Sequence, residues 1–104
     1  MLEIPLIATP NQDFLVTLDG QNCTIALYQR DDYTFLDLTV GQEVIRTGAI
    51  CMPMTAIIQK PADFKGQLYL YDSYSPPESQ SLASWSELGT RFKLLYAFDS
   101  ELNA

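Results

Sequence analysis

Histidine is absent from all 104 residues, which removes the commonest general base and the commonest neutral metal ligand. Only two cysteines occur, Cys23 and Cys51. They lie far apart in apolar runs, CTIALY and AICMPM, so neither a paired-thiol motif nor a zinc ligand set can be drawn from them, and buried free thiols are expected. Gly20, Gly41, Gly48, Gly66 and Gly89 stand singly, and isolated glycines build no phosphate-cradling loop. Serines are frequent, yet none has a lysine or histidine partner in a recognisable nucleophile motif. Asp31 and Asp32 are adjacent but lack the oxygen-rich spacing of a calcium loop, and read as solvated turn charges. The expectation is a protein that is not an enzyme and holds no metal and no cofactor.

Basic residues are also scarce, six against thirteen acids, for a net charge of −7. The excess runs through the whole chain, with seven acids against two bases up to Met52 and six against four beyond it. No basic face is segregated where phosphates could dock, so nucleic-acid binding is not expected. The opening MLEIPLIATP has an early acid at Glu3 and only a short apolar run, and is expected to be neither a signal peptide nor a membrane span. A hydrophobic content of 47% with 18% charged residues is the balance of a folded chain, and the length suits one domain with one core.

Period-two alternation dominates. DFLVTL aligns Phe14, Val16 and Leu18; after the turn signal Asp19-Gly20-Gln21-Asn22, CTIALYQR aligns Cys23, Ile25 and Leu27, predicting a hairpin with a four-residue loop. Arg30-Asp31-Asp32 turns the chain into YTFLDLTV, with Leu36, Leu38 and Val40 on one face, and Gly41-Gln42 turns it into EVIRTG. Pro53 breaks AICMPMTAII and predicts an edge or a strand switch. QLYLYD sets Leu68 and Leu70 against Tyr69 and Tyr71. In TRFKLLYAFD, the positions Phe92, Leu94, Tyr96 and Phe98 form one buried face. Phe14, Phe35, Phe92, Phe98 and Tyr96 are expected in the core. The predicted fold is all-β, a small antiparallel barrel or sandwich of six to eight strands, in one domain spanning residues 1–104.

Between the last two strands lies a Ser/Pro-rich tract, Asp72 to Gly89, long enough to be functional or to be ordered by contact. It holds the only tryptophan, in ASWSELG, where Ser84 as N-cap, Glu87 at the capping-box position and Gly89 as terminator predict one helical turn. A large ring in such a tract calls for something to cover it. Trp85, with Leu82, Leu88 and Tyr74, is expected either to insert into a neighbouring protein or to fold back as a lid on its own domain.

Three stretches carry a resemblance. MLEIPLIATPNQDFLVTLDGQNCTIAL, FLDLTVGQEVIRTGAIC and ELGTRFKLLYAF resemble the small baseplate plug proteins of contractile-tailed bacteriophages. The matching features are an opening strand ending in a Pro/Asn turn (Ile4 to Asn11), the Leu18-Asp19-Gly20 hairpin, Leu36-Asp37 followed by Gly41 and Gly48, and Leu88-Gly89 before the aromatic strand Arg91 to Phe98. The Ser/Pro tract is longer than the family pattern leads one to expect before the Leu-Gly pair.

The resemblance implies a structural virion protein of the tail baseplate, assembled in the host cytoplasm. Its implied partners are the baseplate hub protein, the tail tube and neighbouring baseplate proteins, in several symmetric copies, three and six both being compatible with tail symmetry. Leu2, Ile4 and Leu6, in an opening strand interrupted by Pro5, are expected to offer an edge to a neighbour. Asp31, Asp32 and Glu43 are expected to help form an acidic wall toward a DNA-conducting lumen. Two other readings of the residues stay open: a carbohydrate-binding module stacking sugars on Tyr69, Tyr71, Tyr74 and Trp85, and an acidic inhibitor occupying a nuclease.

Overall fold

The computed structural model describes residues 1–102. In chain order the strands are β1 (Leu2–Ile4), β2 (Asn11–Leu18), β3 (Gln21–Arg30), β4 (Tyr33–Val40), β5 (Glu43–Ile50), β6 (Gln67–Asp72) and β7 (Phe92–Ala97), followed by one helical turn, α1 (Asp99–Leu102). β2 to β5 form a four-stranded meander in sequence order, and β1, β7 and β6 form a second, three-stranded sheet with β7 in the middle. All pairings between strands are antiparallel. The expected choice between barrel and sandwich resolves as a two-sheet sandwich.

The alternation read from the sequence decides the inner faces. Ile25 lies opposite Leu38 and Leu27 opposite Leu36, all four shielded from solvent. The other sheet contributes Leu68, Leu70, Leu94 and Tyr96 to the same apolar cluster. Each such aliphatic side chain stabilises the fold by about 1.5–3 kcal/mol relative to exposure, so register is strongly specified on both sheets. Cys23 and Cys51 are buried free thiols, and burial pushes the Cys51 thiol up to about 12.

Three of the five aromatic residues expected in the core are not fully buried, and Phe14 is one of them, only partly buried against the cluster. Phe35 points to the outer face, where its ring stacks on Tyr28 at 6.0 Å, because its neighbours Thr34 and Leu36 take the inner face. Phe98 follows the end of β7 and is only partly buried, edge-on to Tyr96 at 5.4 Å. Phe64, from the irregular stretch after β5, enters the core instead, also edge-on to Tyr96, at 5.9 Å.

The β2–β3 loop is shorter than predicted. Gln21 and Asn22 belong to the ladder opposite Leu18 and Thr17, leaving Asp19 (φ 52°) and Gly20 (φ 74°) as a two-residue turn with both φ positive. That geometry matches the twist of the flanking strands and favours Asp-Gly. Pro53 marks the strand switch: Cys51 N–H donates to Thr34 O of the four-stranded sheet at 2.9 Å, and Met54 N–H to Leu70 O of the other sheet at 2.9 Å.

The turn residues of the sequence pattern act as staples. Asp37 Oδ1 accepts from Gly48 N–H at 2.7 Å and from the Tyr28 hydroxyl at 2.9 Å, fixing the irregular β4–β5 register. Asp19 Oδ2 accepts from the Tyr96 hydroxyl at 2.6 Å and from Asp99 N–H at 3.0 Å, joining the two sheets at one end. Gly89 (φ +86°) lies so close to Leu6 that an added Cβ would stand 2.3 Å from the Leu6 carbonyl oxygen, so only glycine lets the two segments cross there.

Candidate interaction surface

The tract after β6 is ordered by its own hydrogen bonds, and Asp72 is the centre of them. Its carboxylate is shielded from solvent and receives Arg91 through two parallel bonds, Nε to Oδ1 at 2.7 Å and Nη2 to Oδ2 at 2.8 Å. This fork geometry is the strongest ion-pair arrangement available to arginine. Tyr74 N–H adds a bond to Oδ1 at 3.0 Å and Ser81 N–H one to Oδ2 at 3.3 Å. The Arg91 guanidinium beside it holds the Asp72 carboxyl well below the ordinary carboxylate range, against the opposing effect of burial. Gln80 closes the loop, its Oε1 accepting from Asp72 N–H at 2.7 Å while its Nε2 donates to the Asp72 and Ser75 carbonyls at 2.9 and 3.0 Å. Within the chain the tract is held at both ends by these bonds.

Braced in this way, the tract divides its apolar side chains. Ala83 and Leu88 fill the core. Trp85, Leu82 and Tyr74 stay outside, 40%, 39% and 68% exposed. Trp85 to Glu87 form the predicted turn, as a 3-10 helix. The capping box does not form: Ser84 Oγ bonds Ser86 Oγ at 3.2 Å, and the Glu87 carboxylate lies 3.8 Å from Arg91. The backbone N–H of Trp85 donates to Gln29 Oε1 at 2.8 Å, tying the turn to the end of β3. Leu88 thus offers its side chain to the core and not to a neighbour.

The same division splits the opening strand. β1 pairs with β7 along Leu2 to Ile4. Ile4 is buried, Leu6 packs on the core, and Leu2 is 40% exposed. Of the three, only Leu2 presents a largely free side chain.

Tyr69 and Tyr71 face outward from β6 as their alternation predicts. With Leu95, Met1 and Met54 they line a shallow apolar hollow of about 310 Å³ on the outer face of the three-stranded sheet. Tyr74 instead lies over the Arg91 guanidinium, 5.8 Å from charge to ring centre, and Trp85 is tied to the other sheet. The four rings are held by different parts of the fold, so they do not form one stacking row.

The acids named for a lumen wall are also dispersed. Asp31 and Asp32 make the β3–β4 turn, whereas Glu43 follows the β4–β5 turn at the opposite end of the sheet. All three are exposed, and none is in an ion pair among the described residues. No group of acids, cysteines or histidines among the described residues is arranged to hold a metal ion. No helix among them is long and apolar enough to cross a membrane.

What the fold defines is a small antiparallel β-sandwich whose prominent surface features are exposed apolar side chains on a braced loop and on sheet faces. The model of the family described as cyanophage baseplate Pam3 plug gp18 matches residues 1–99 of the chain, and the protein belongs to that family. It is a structural component of the phage baseplate, a plug located in the tail baseplate of the virion in association with other baseplate components. No curated protein matches it. The staples Asp19, Asp37, Gly48 and Gly89 all fall inside the matched region, and each fixes a turn or a crossing in the fold.

Proposed function

We propose that the plug is a non-enzymatic packing element seated against the hub protein and the tail tube, with neighbouring baseplate proteins on its flanks. It enters the assembly from the host cytoplasm, in several symmetric copies. The observation that supports this reading is the preformed loop carrying Trp85, Leu82 and Tyr74. It stands exposed although Asp72 and Arg91 have already met its ordering cost. Large apolar anchors on a rigid support are what protein interfaces use, because little conformational freedom is lost on docking. Trp85 acts as the anchor in this reading, and the partner supplies the apolar groove.

Co-expression with the hub and tail-tube proteins of the same virus tests it. The plug should co-purify with one or both, and Trp85→Ala should release it. Capture by neither, with all components folded, would remove the hub and tube as partners while leaving the baseplate location intact.

A further inference from the structure

Two sheets have four edges, and an open edge is a template for pairing with another chain. One of the four is covered, one is short and one is irregular. Along β6, the segment after Pro53 covers the edge, with Met54 N–H bonding Leu70 O at 2.9 Å and Ile57 N–H bonding Leu68 O at 3.0 Å. β5 is interrupted by two register shifts, and Arg46 of that strand reaches Gln59 O and Pro61 O at 2.6 and 2.9 Å. β1 has three residues and is followed by Pro5.

β2 is the regular one: the Gln12 side chain ties Ile7 to the start of its ladder at 2.7 and 3.1 Å, and no backbone segment among the described residues pairs with its outer side. It runs eight residues in unbroken register with β3, with neither a bulge nor a proline inside it. Leu18 and Gln21 close a two-residue turn, so they are a hydrogen-bonded pair. Gln12, Phe14 and Val16 therefore also direct their backbone groups to β3, and Asp13, Leu15 and Thr17 direct theirs outward. Leu15, in the middle, is 81% exposed, the most exposed of the large hydrophobic side chains. Phe14 and Val16 are only partly buried against the core.

We propose that β2 is the seam of a symmetric dimer, in which two copies of this chain pair β2 with β2, antiparallel and centred on Leu15, to make one continuous eight-stranded sheet. The strand is self-complementary in that register. Leu15 meets Leu15 of the second copy, Phe14 meets Val16, and Asp13 meets Thr17, whose hydroxyl can donate to the carboxylate. The three outward-facing pairs exchange about six backbone hydrogen bonds. Sliding the strands one step sets Asp13 against Leu15 in one direction and against Asp19 in the other. The first opposes a charge to an apolar side chain and the second opposes two acids, both unfavourable pairings. A chain of net charge −7 can associate with itself there because Asp13 is the only acid on the strand and this register keeps it away from its own copy. The seam goes beyond the baseplate role and does not depend on it; taken together with that role, it makes the copy number even, six and not three.

Sedimentation equilibrium of the full chain over a range of concentrations tests the proposal. The wild type should show a monomer–dimer equilibrium. Leu15→Lys should raise the dissociation constant roughly tenfold or more by placing like charges face to face, with Tm unchanged at concentrations low enough for the wild type to be monomeric, because the side chain is exposed in the single chain. Mixing Leu15→Lys with Leu15→Glu should restore pairing, as heterodimers, since position 15 faces itself only in this register. A wild type monomeric at every concentration would overturn the proposal. A dimer indifferent to Leu15→Lys, or a Lys/Glu mixture that stays monomeric, would do the same. If the lone protein is monomeric but Leu15→Lys blocks capture by another baseplate protein, the edge belongs to a foreign strand and the symmetric seam is wrong.

Discussion

Arg91 and Asp72 stand at the two ends of the β6–β7 loop and close it with a bidentate ion pair, Nε to Oδ1 at 2.7 Å and Nη2 to Oδ2 at 2.8 Å. Arg91 also lies over the rings of Tyr74 and Phe92, 5.8 and 5.0 Å from their centres, and its carbonyl accepts from Ser73 N–H at 2.8 Å. One pair thus links the last residue of β6, the loop and the first residue of β7.

Removing one member of a shielded pair leaves the other uncompensated. Asp72→Ala should therefore lower the urea midpoint more than Leu95→Ala does, and should loosen the tract from Ser73 to Leu88. Hydrogen exchange of the amides of Tyr74 and Ser81, which bond the same carboxylate, reads this directly. Unchanged protection at both amides would show that Gln80 alone holds the loop.

The same carboxylate gives stability a pH dependence of defined sign. Its folded pKa lies below its ordinary value of 3.8, chiefly because Arg91 bonds the charged form, and Asp19 is displaced the same way by the Tyr96 hydroxyl. A depressed pKa means that the unfolded chain binds protons first. The contribution of both groups is complete above about pH 5 and is lost progressively as pH falls through 4 and below. Denaturation midpoints measured from pH 7 down to 3 should fall in that window for the wild type and fall less for Asp72→Asn.

In β7, Phe92 is 2% exposed, whereas Leu95 is on the outer face with Tyr69. Phe92→Ala should cost about 3–5 kcal/mol, enough to unfold a domain of this size. Leu95→Ala should cost far less, and Phe98→Ala should fall between them because that ring is only partly buried. Chemical denaturation orders the three, and Leu95 as the costliest would contradict the register.

Trp85→Ala should lower affinity for the baseplate partner by about 2 kcal/mol or more while Tm stays near wild type, as for an interface anchor on a preordered support. The indole emission should be red-shifted in the free protein and move to the blue when the partner is added. A stability loss larger than the binding loss would make the ring a lid on its own sandwich.

Alternation alone determined most of the strands and their inner faces, since a half-buried strand repeats every two residues whatever it pairs with. Asp19-Gly20, Asp31-Asp32 and Gly41-Gln42 marked the meander turns, because few residue types tolerate the backbone those turns require. The ordered set of turn residues was enough to point to the baseplate family. Tertiary structure alone decided the rest. Asp72 is an unremarkable acid until β7 brings Arg91 beside it, and that contact orders a tract whose composition reads as loose. Phe35 left the core and Phe64 entered it because period two separates the faces of a strand without showing what covers each, and an irregular segment has no period at all. Ile4 and Leu88 look like edge and loop side chains in the sequence, yet both became core once the two sheets closed over them. The open edge of β2 is a property of strand order, which depends on pairings between residues far apart in the chain.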